Sequence, residues 1–301
     1  MRIRRSSASE VYHGLREAPD TAAITSAARE AFADSNPDVK LQRLVVVIAA
    51  YNEAGNIGPV LDEIPDQIAD VTVSRLVIDD GSSDGTTAAA QRHGALVCTL
   101  AANRGHGVAL RLGYRIAREA GAEYIATLDG DGQWDPADLP AMIRLLEEDR
   151  ADFVVGSRQL GRTENTDSFR NLGVRFFARL ISALTHARLT DTSSGLRAMR
   201  AELTAAVRQT QPQYQTSELL IGALFQGFRV AEVPTTMRQR ISGVTKKGDN
   251  VFYGMRYARV IGRTWWRERR GEPSPLHRAA ALEPVTGGQV PPSRLPERPV
   301  S

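Results

Sequence analysis

Apolar runs and polar turns alternate along the first half of this chain at the spacing of strands and helices. Residues 44–50, Leu-Val-Val-Val-Ile-Ala-Ala, form an unbroken run rich in β-branched side chains, which predicts a strand buried on both faces. Runs at 73–78, 95–100, 124–126 and 152–156 predict further strands. Between them apolar residues recur at helical spacing. Ile57, Val60, Leu61 and Ile64 share one face of a helix over 55–66, Ser83 or Asp84 can cap a second, and others follow over 105–119 and 138–148. Such alternation implies right-handed βαβ units and an α/β fold with a mostly parallel sheet.

The pattern changes in the second half. Residues 169–184 predict an amphipathic helix rich in Arg and Phe, and 192–200 a turn with a short strand. Residues 217–226 read as a helix with Glu218 near its N-terminus, where a carboxylate suits the dipole. Two short strands are expected at 230–234 and 236–238, with Pro234 marking an edge or bend. A helix over 250–269 sets Phe252, Tyr253, Trp265 and Trp266 beside Arg256, Arg259, Arg263, Arg267 and Arg269. Residues 1–40 lack a sustained apolar stripe and read as a loosely ordered extension in which 21–33 can form a short helix. Residues 271–301 are Pro-rich and are expected to be disordered.

Every strand of the first half ends in chemistry. Tyr51-Asn52-Glu53, Asp79-Asp80, the loop 103–107 and Asp129-Gly130-Asp131-Gly132-Gln133 each follow a predicted strand. In open α/β sheets ligands bind beyond those carboxyl ends. Asp129 and Asp131 stand one residue apart in a Gly-rich turn. The pattern suits turn formation, and it also suits a hard divalent cation such as Mg²⁺ or Mn²⁺ that completes its shell with phosphate oxygens. An EF-hand reading fails, because Trp134 falls where Gly is required and Pro140 where Glu is required. The dinucleotide fingerprint also fails, since Leu110 stands where the third glycine of Gly105-His106-Gly107 would fall, and there is no Gly-Lys-Ser/Thr phosphate loop. A cation on Asp129 or Asp131 is then the available means of holding a diphosphate.

Composition narrows the setting. The chain has 301 residues, 42% hydrophobic and 24% charged, ordinary for a globular protein of one large domain or two small ones. Cys98 is the single cysteine, so neither an intrachain disulfide nor a cysteine zinc site can form, and a reducing, cytoplasmic compartment is expected. No apolar run is long enough to span a bilayer, which leaves peripheral contact at the inner face of a membrane as the expectation for any lipid association. The net charge is +3, and a pI near 9.2 favours anionic partners. Nucleic acid ranks last and is not expected as a partner, because no recognised module is present and the aromatics are not interleaved with basic residues.

The motifs together resemble the family 2 glycosyltransferases of the GT-A fold. The resemblance rests on Ala49-Ala50-Tyr51-Asn52-Glu53, on 79–86 (Asp-Asp-Gly-Ser-Ser-Asp-Gly-Thr) and on 129–133. Downstream, Gly156-Ser157-Arg158, residues 191–197, Glu218 and 240–246 are similar to polyprenyl-phosphate sugar synthases. The resemblance implies a Rossmann-like GT-A domain over 41–262, with a nucleotide-sugar half at 41–157, an acceptor half at 158–248 and the basic aromatic helix at 249–269. Ala50, Tyr51, Glu53, Asp79 and Asp80, with Asp129 and Asp131, would hold a GDP- or UDP-sugar. Asp129, Asp131 and Gln133 would bind Mg²⁺ or Mn²⁺. Arg158, Arg170, Arg175, Arg240 and Lys246 would meet acceptor or donor phosphates, and Asp131, Asp191 and Glu218 would be catalytic. Two departures stand out: Ala49 replaces the family's usual Pro, and Ser193-Ser194 replaces a different pair. Glu53 and Asp84 also suit helix capping, and His106 reads as a loop or cap residue without an evident partner acid.

The reaction implied is a single displacement with inversion at an anomeric carbon. A phosphate acceptor is already an anionic nucleophile, whereas a soluble hydroxyl or amine acceptor needs a base, for which Asp191 and Glu218 are the candidates. A non-catalytic nucleotide-sugar binding module is the reading from another class.

Overall fold

The computed structural model describes residues 20–164, 168–241 and 250–271. The first strand, β1 (Leu44–Ala50), lies at the centre and is buried along its whole length. Val45, Val47 and Ala49 enter one apolar core, and Leu44, Val46, Ile48 and Ala50 enter the other. This two-sided burial is the physical reason that the run shows no polar alternation.

Helix α1 (Thr21–Ser35) precedes β1. After it come α2 (Ile57–Asp62), β2 (Gln67–Ile68), β3 (Val71–Asp79), α3 (Thr86–Arg92), β4 (Leu96–Thr99), α4 (His106–Glu119) and β5 (Tyr124–Asp129). A 3-10 turn at Pro136–Asp138 leads into α5 (Leu139–Glu147). The second half contributes β6 (Phe153–Thr163), α6 (Ser168–Thr185), β7 (Arg197–Arg200), α7 (Leu203–Ala206), α8 (Gln215–Phe225), β8 (Val230–Met237) and α9 (Asn250–Arg270). These are the two-layered flanks of an eight-stranded sheet in the order β2-β3-β1-β5-β7-β6-β8, with β4 paired to β3.

Three expectations need correcting. Residues 21–35 are not part of a loose extension: α1 packs its buried Ala28 with Ile24 and Phe32 against the core, and the Cys98 thiol donates to the Ala28 carbonyl at 3.5 Å. The two short strands expected at 230–238 are one strand, β8, which pairs in parallel with β6 at the end of the sheet order and carries Pro234 exposed on that edge. The strand expected at 152–156 runs on to Thr163, with a register shift between Ser157 and Arg162 that breaks its pairing with β8. The tail expected to be disordered, and residues 1–19, lie outside the described residues.

One feature of the topology builds the site. β3, β1 and β5 are mutually parallel, while β7 runs antiparallel to both β5 and β6. The start of β7 therefore lies at the end of β5, where Thr127 pairs with Arg197. The Ser193-Ser194-Gly195 turn is thereby delivered beside Asp129.

Candidate active site

Asp129 closes β5, and its carboxylate is fixed from two directions. The Trp134 indole N–H donates to Asp129 Oδ2 at 2.8 Å, and His106 Nε2, on the first residue of α4, lies 3.8 Å from Asp129 Oδ1. A third contact is steric. A Cβ built on Gly195 would stand 2.4 Å from Asp129 Oδ2 and 2.7 Å from the Trp134 indole nitrogen. Only glycine fits there. His106 thus has the acid neighbour that the sequence did not reveal.

Asp131 sits in the turn that follows, with Gly132 at φ +76°. Its Oδ1 accepts from the Gln133 backbone N–H at 3.1 Å. Burial, reinforced by the charge of Asp129 and opposed by the Gln133 N–H and by Arg240, pushes its pKa up to about 6. Two acids that resist ionising together are a pair that a cation would relieve. The segment following β8 straps across this turn. The Arg238 N–H donates to the Gln133 carbonyl at 2.8 Å, and the Ile241 N–H to the Asp131 carbonyl at 3.3 Å. The strap places Arg240 between two acids, in an ion pair with Glu53 and 3.6 Å from Asp131 Oδ2.

The loops after β1, β3 and β4 are tied to one another. The Asp80 N–H donates to the carbonyl of Ala50, the buried last residue of β1. The Asn52 N–H donates to Ser82 Oγ and the Glu53 N–H to Thr86 Oγ1, both at 2.9 Å. Tyr51 is half-buried between them. The Glu53 carboxylate also accepts from the Asn56 side-chain amide at 2.6 Å at the start of α2, while it is the Glu53 backbone carbonyl, not its side chain, that accepts from the Asn56 and Ile57 N–H groups, so the carboxylate does not cap the helix. Asp79 and Asp80 differ from expectation. Both are buried, and their oxygens are engaged within the protein. Asp79 accepts from Ser82 N–H at 2.8 Å and from the Thr87 hydroxyl. Asp80 accepts from Arg104 N–H at 2.7 Å and Gly105 N–H at 2.8 Å, and burial pushes its pKa up to about 6. These acids brace the loops beyond the strand ends, with each carboxylate oxygen engaged inside the protein.

Three further expectations change in the second half. Asp191 is fully buried and is chelated by Arg158, Nε to Oδ2 at 2.6 Å and Nη2 to Oδ1 at 2.8 Å, so it has no free oxygen with which to act as a base. Arg158 is correspondingly withdrawn from phosphate binding. It is 8% exposed, also donates to Ser193 Oγ at 2.7 Å, and lies over the Trp134 ring at 5.4 Å. Asp191, Arg158, Trp134 and Asp129 form one continuous chain of contacts leading to the acid pair. Glu218 is likewise fully buried. It accepts from Thr210 N–H and Gln211 N–H, each at 2.9 Å, from the Thr210 hydroxyl at 2.9 Å and from Arg267 at 2.8 Å. It locks α8 to the loop at 210–211 and to α9, and it cannot reach a substrate. Arg175 is exposed on α6 and donates to Gln159 Oε1 at 2.9 Å. Lys246 lies outside the described residues, and Arg170 is described by its backbone alone.

Trp134, Gly195, His106 and Arg197 were not marked as site residues by the sequence. Arg197 is 1% exposed; it and Asp129 both act on the buried Tyr114 hydroxyl, whose pKa burial raises and Arg197 lowers. The only available signals were the position of Trp134 one residue past the acidic turn and the glycine in Ser193-Ser194-Gly195.

The residues present fit a divalent cation. Among the described residues no group of three or more His, Cys, Asp or Glu side chains could hold a metal by itself. Two carboxylates are nonetheless what Mg²⁺ commonly takes from a protein when substrate phosphates complete its shell.

A curled α/β sheet in which β5 runs out into a carboxylate pair, roofed by a basic strap, is that of a glycosyltransferase with the GT-A fold. The chain belongs to glycosyl transferase family 2, whose family model matches residues 45–208. It is 35% identical over 203 residues to the dolichyl-phosphate hexose transferase of Haloferax volcanii, covering 67% of this chain and 86% of the relative. It is 30% identical over 224 residues to the undecaprenyl-phosphate mannosyltransferase of Micrococcus luteus, covering 69% and 89%. The crystal structure of glucosyl-3-phosphoglycerate synthase from Mycobacterium tuberculosis with Mn²⁺, UDP and glucosyl-3-phosphoglycerate superposes with a TM-score of 0.57 at 20% identity, over 80% of this chain and 83% of that one. That likeness shows the shared fold.

Proposed function

We propose that this glycosyltransferase moves a sugar from a nucleoside diphosphate to a polyprenyl phosphate, with inversion and with a divalent cation. The observation that carries the reading is the acid pair Asp129 and Asp131 under the Arg240 strap, at the end of the central strands. Asp129 and Asp131, with Gln133 beside them, would hold Mg²⁺ or Mn²⁺, which supplies charge neutralisation to a leaving diphosphate. Tyr51, Glu53 and the loops pinned by Asp79 and Asp80 would enclose the base and ribose. Arg240 would exchange its acid partners for phosphate oxygens, as its planar fork allows. Arg175, and Arg170 and Lys246 with it, would receive the acceptor phosphate.

The choice of acceptor follows from what the two buried acids cannot do. Asp191 and Glu218, the residues available as bases to a hydroxyl or amine, are both engaged in internal bonds. A phosphate acceptor carries its own negative charge and needs no such base. Two of the relatives, named as dolichyl- and undecaprenyl-phosphate transferases, support the same choice.

The test offers labelled GDP- and UDP-sugars, with Mn²⁺, to polyprenyl phosphates and separately to aqueous small-molecule acceptors. Label is expected in the organic phase, and in none of it after Asp131→Asn. Label confined to aqueous products would reject the lipid acceptor.

A further inference from the structure

Buried polar atoms without partners are concentrated in one place. Among the described residues ten buried side-chain nitrogen and oxygen atoms find no hydrogen-bond partner, and five of them belong to Tyr114, Arg197 and Gln215. Each of these three residues is 1% exposed. Tyr114 leaves its hydroxyl unmatched, Arg197 its Nε and Nη1, and Gln215 both ends of its amide.

The fold sets these side chains on the Asp129 side of the sheet. Arg197 lies opposite Thr127 on β5 and opposite Val155 on β6, so it is flanked by a strand on either side. Directly paired residues share a face of the sheet, as do residues two apart on one strand. Arg197 therefore shares a face with Asp129 as its diagonal neighbour, about 7–8 Å away and within reach of a long side chain. α4 packs on that face. Tyr114 enters the same core as Ile125, Val155 and Met199, and Arg197 and Asp129 both act on its hydroxyl. Gln215, the first residue of α8, adjoins the start of α4. Its Cγ stands 3.1 Å from a Cβ built on Gly107, next to the His106 that faces Asp129.

Stability does not account for this arrangement. A buried guanidinium with two of its three nitrogens unmatched opposes folding, and an apolar side chain of similar length would serve the core as well or better. Chains keep such local conflicts where function uses them. One neighbour has a use for the charge. Asp129 is held at Oδ2 by the Trp134 N–H, and its carboxylate must keep a fixed direction to meet a cation.

We infer that Arg197, acting through the Tyr114 hydroxyl, is a positioning residue for Asp129 and holds its carboxylate from the core side. This rests on the reading that Asp129 and Asp131 hold a cation together with the donor diphosphate. A phenol suits the place between the two charges, because its oxygen can accept from a guanidinium while its hydrogen is donated to a carboxylate. Groups that orient a metal-binding side chain change its affinity for the ion without touching the ion.

Mn²⁺ binding by the full chain with GDP or UDP present, read from loss of the free-ion EPR signal, tests this beside thermal unfolding. Tyr114→Phe is expected to weaken Mn²⁺ binding about tenfold and Arg197→Met about 10- to 100-fold. Melting temperatures should equal or exceed that of wild type, because each change removes an unmatched buried group. Arg197→Lys, which keeps the charge, should recover part of the loss. Thr264→Val removes another unmatched buried hydroxyl, on α9, and should leave Mn²⁺ binding as in wild type. Wild-type affinity in Tyr114→Phe or Arg197→Met, weakening that only tracks lost stability, or equal weakening in Thr264→Val would overturn the inference. Asp131→Asn separates the two readings. If wild type binds Mn²⁺ and Asp131→Asn does not, the cation site stands and the Tyr114 and Arg197 variants judge the positioning role alone. No Mn²⁺ binding by wild type with either nucleotide would remove the cation site and this inference with it.

Discussion

The residues up to 157 and those from 158 onward use their acidic side chains in opposite ways. In the first, polar side chains sit at strand ends and bond to the neighbouring loops, as Asp80 does to the 104–105 loop and Glu53 to the start of α2. The two acids of greatest chemical interest remain partly open. The Asp129 side chain is 33% exposed and that of Asp131 is 14%. In the second, the two candidate acids are buried and paired across long stretches of chain, Asp191 with Arg158 and Glu218 with Arg267. The first half presents chemistry, and the second holds it in place. A motif residue is therefore not equivalent to a contact residue, and burial separates the two.

The sharpest way to break this contrast is at Asp131. Asp131→Asn should cut turnover by about 10³-fold or more with thermal unfolding unchanged or slightly improved, because the substitution removes a charge that burial opposes. Full turnover would place the chemistry elsewhere. Next in size is the buried pair. Arg158→Met should destabilise by about 3–5 kcal/mol by stranding Asp191, and adding Asp191→Leu should recover most of that loss, as read by urea unfolding. Smaller again is Gly195→Ala. Its methyl would push on Asp129 Oδ2, and a displacement near 1 Å is expected to cost about 10²-fold in kcat with little change in stability. Glu218→Gln should cost about 1–3 kcal/mol of stability while kcat of the folded protein stays within about twofold. A collapse of kcat at unchanged stability would return Glu218 to the site.

The smallest effect is a pH dependence. Asp80 has a pKa of about 6 when folded, against 3.8 for an ordinary Asp, so the native state binds this proton more tightly than the unfolded chain. Its contribution to stability is therefore present at low pH and is lost as pH rises through about 6. Between pH 4.5 and 7, wild type should lose about 2 kcal/mol relative to Asp80→Asn. Parallel stability curves for the two proteins would show that Asp80 does not titrate there.

The legible parts of the fold were those with a local cause. The run at 44–50 marked β1 with its observed bounds, because burial on both faces leaves a continuous apolar signature. Asp129 and Asp131 were legible because a strand running into a Gly-rich acidic turn is unusual enough to register. α1 was less so. Its small apolar face meets β4 and α4 through Ala28, Ile24 and Phe32, and a helix that only completes another element's core shows little stripe of its own. Trp134, Gly195 and His106 were missed as site residues because each matters through a partner distant in sequence or through a close approach. The same limit made Asp191 and Glu218 read as candidate bases, since nothing local shows that an arginine will close over them.

By itself the sequence determined the α/β alternation, the family, and the acid pair at the end of a buried strand, because hydrophobic period and turn chemistry act over a few residues. Only the tertiary structure decided which acids remain open and which are sealed. That depends on β7 running against β5, on the strap after β8 carrying Arg240 over Asp131, and on α9 reaching back to Glu218. Pairings of this kind join residues 49 to 109 positions apart, and no local pattern encodes them.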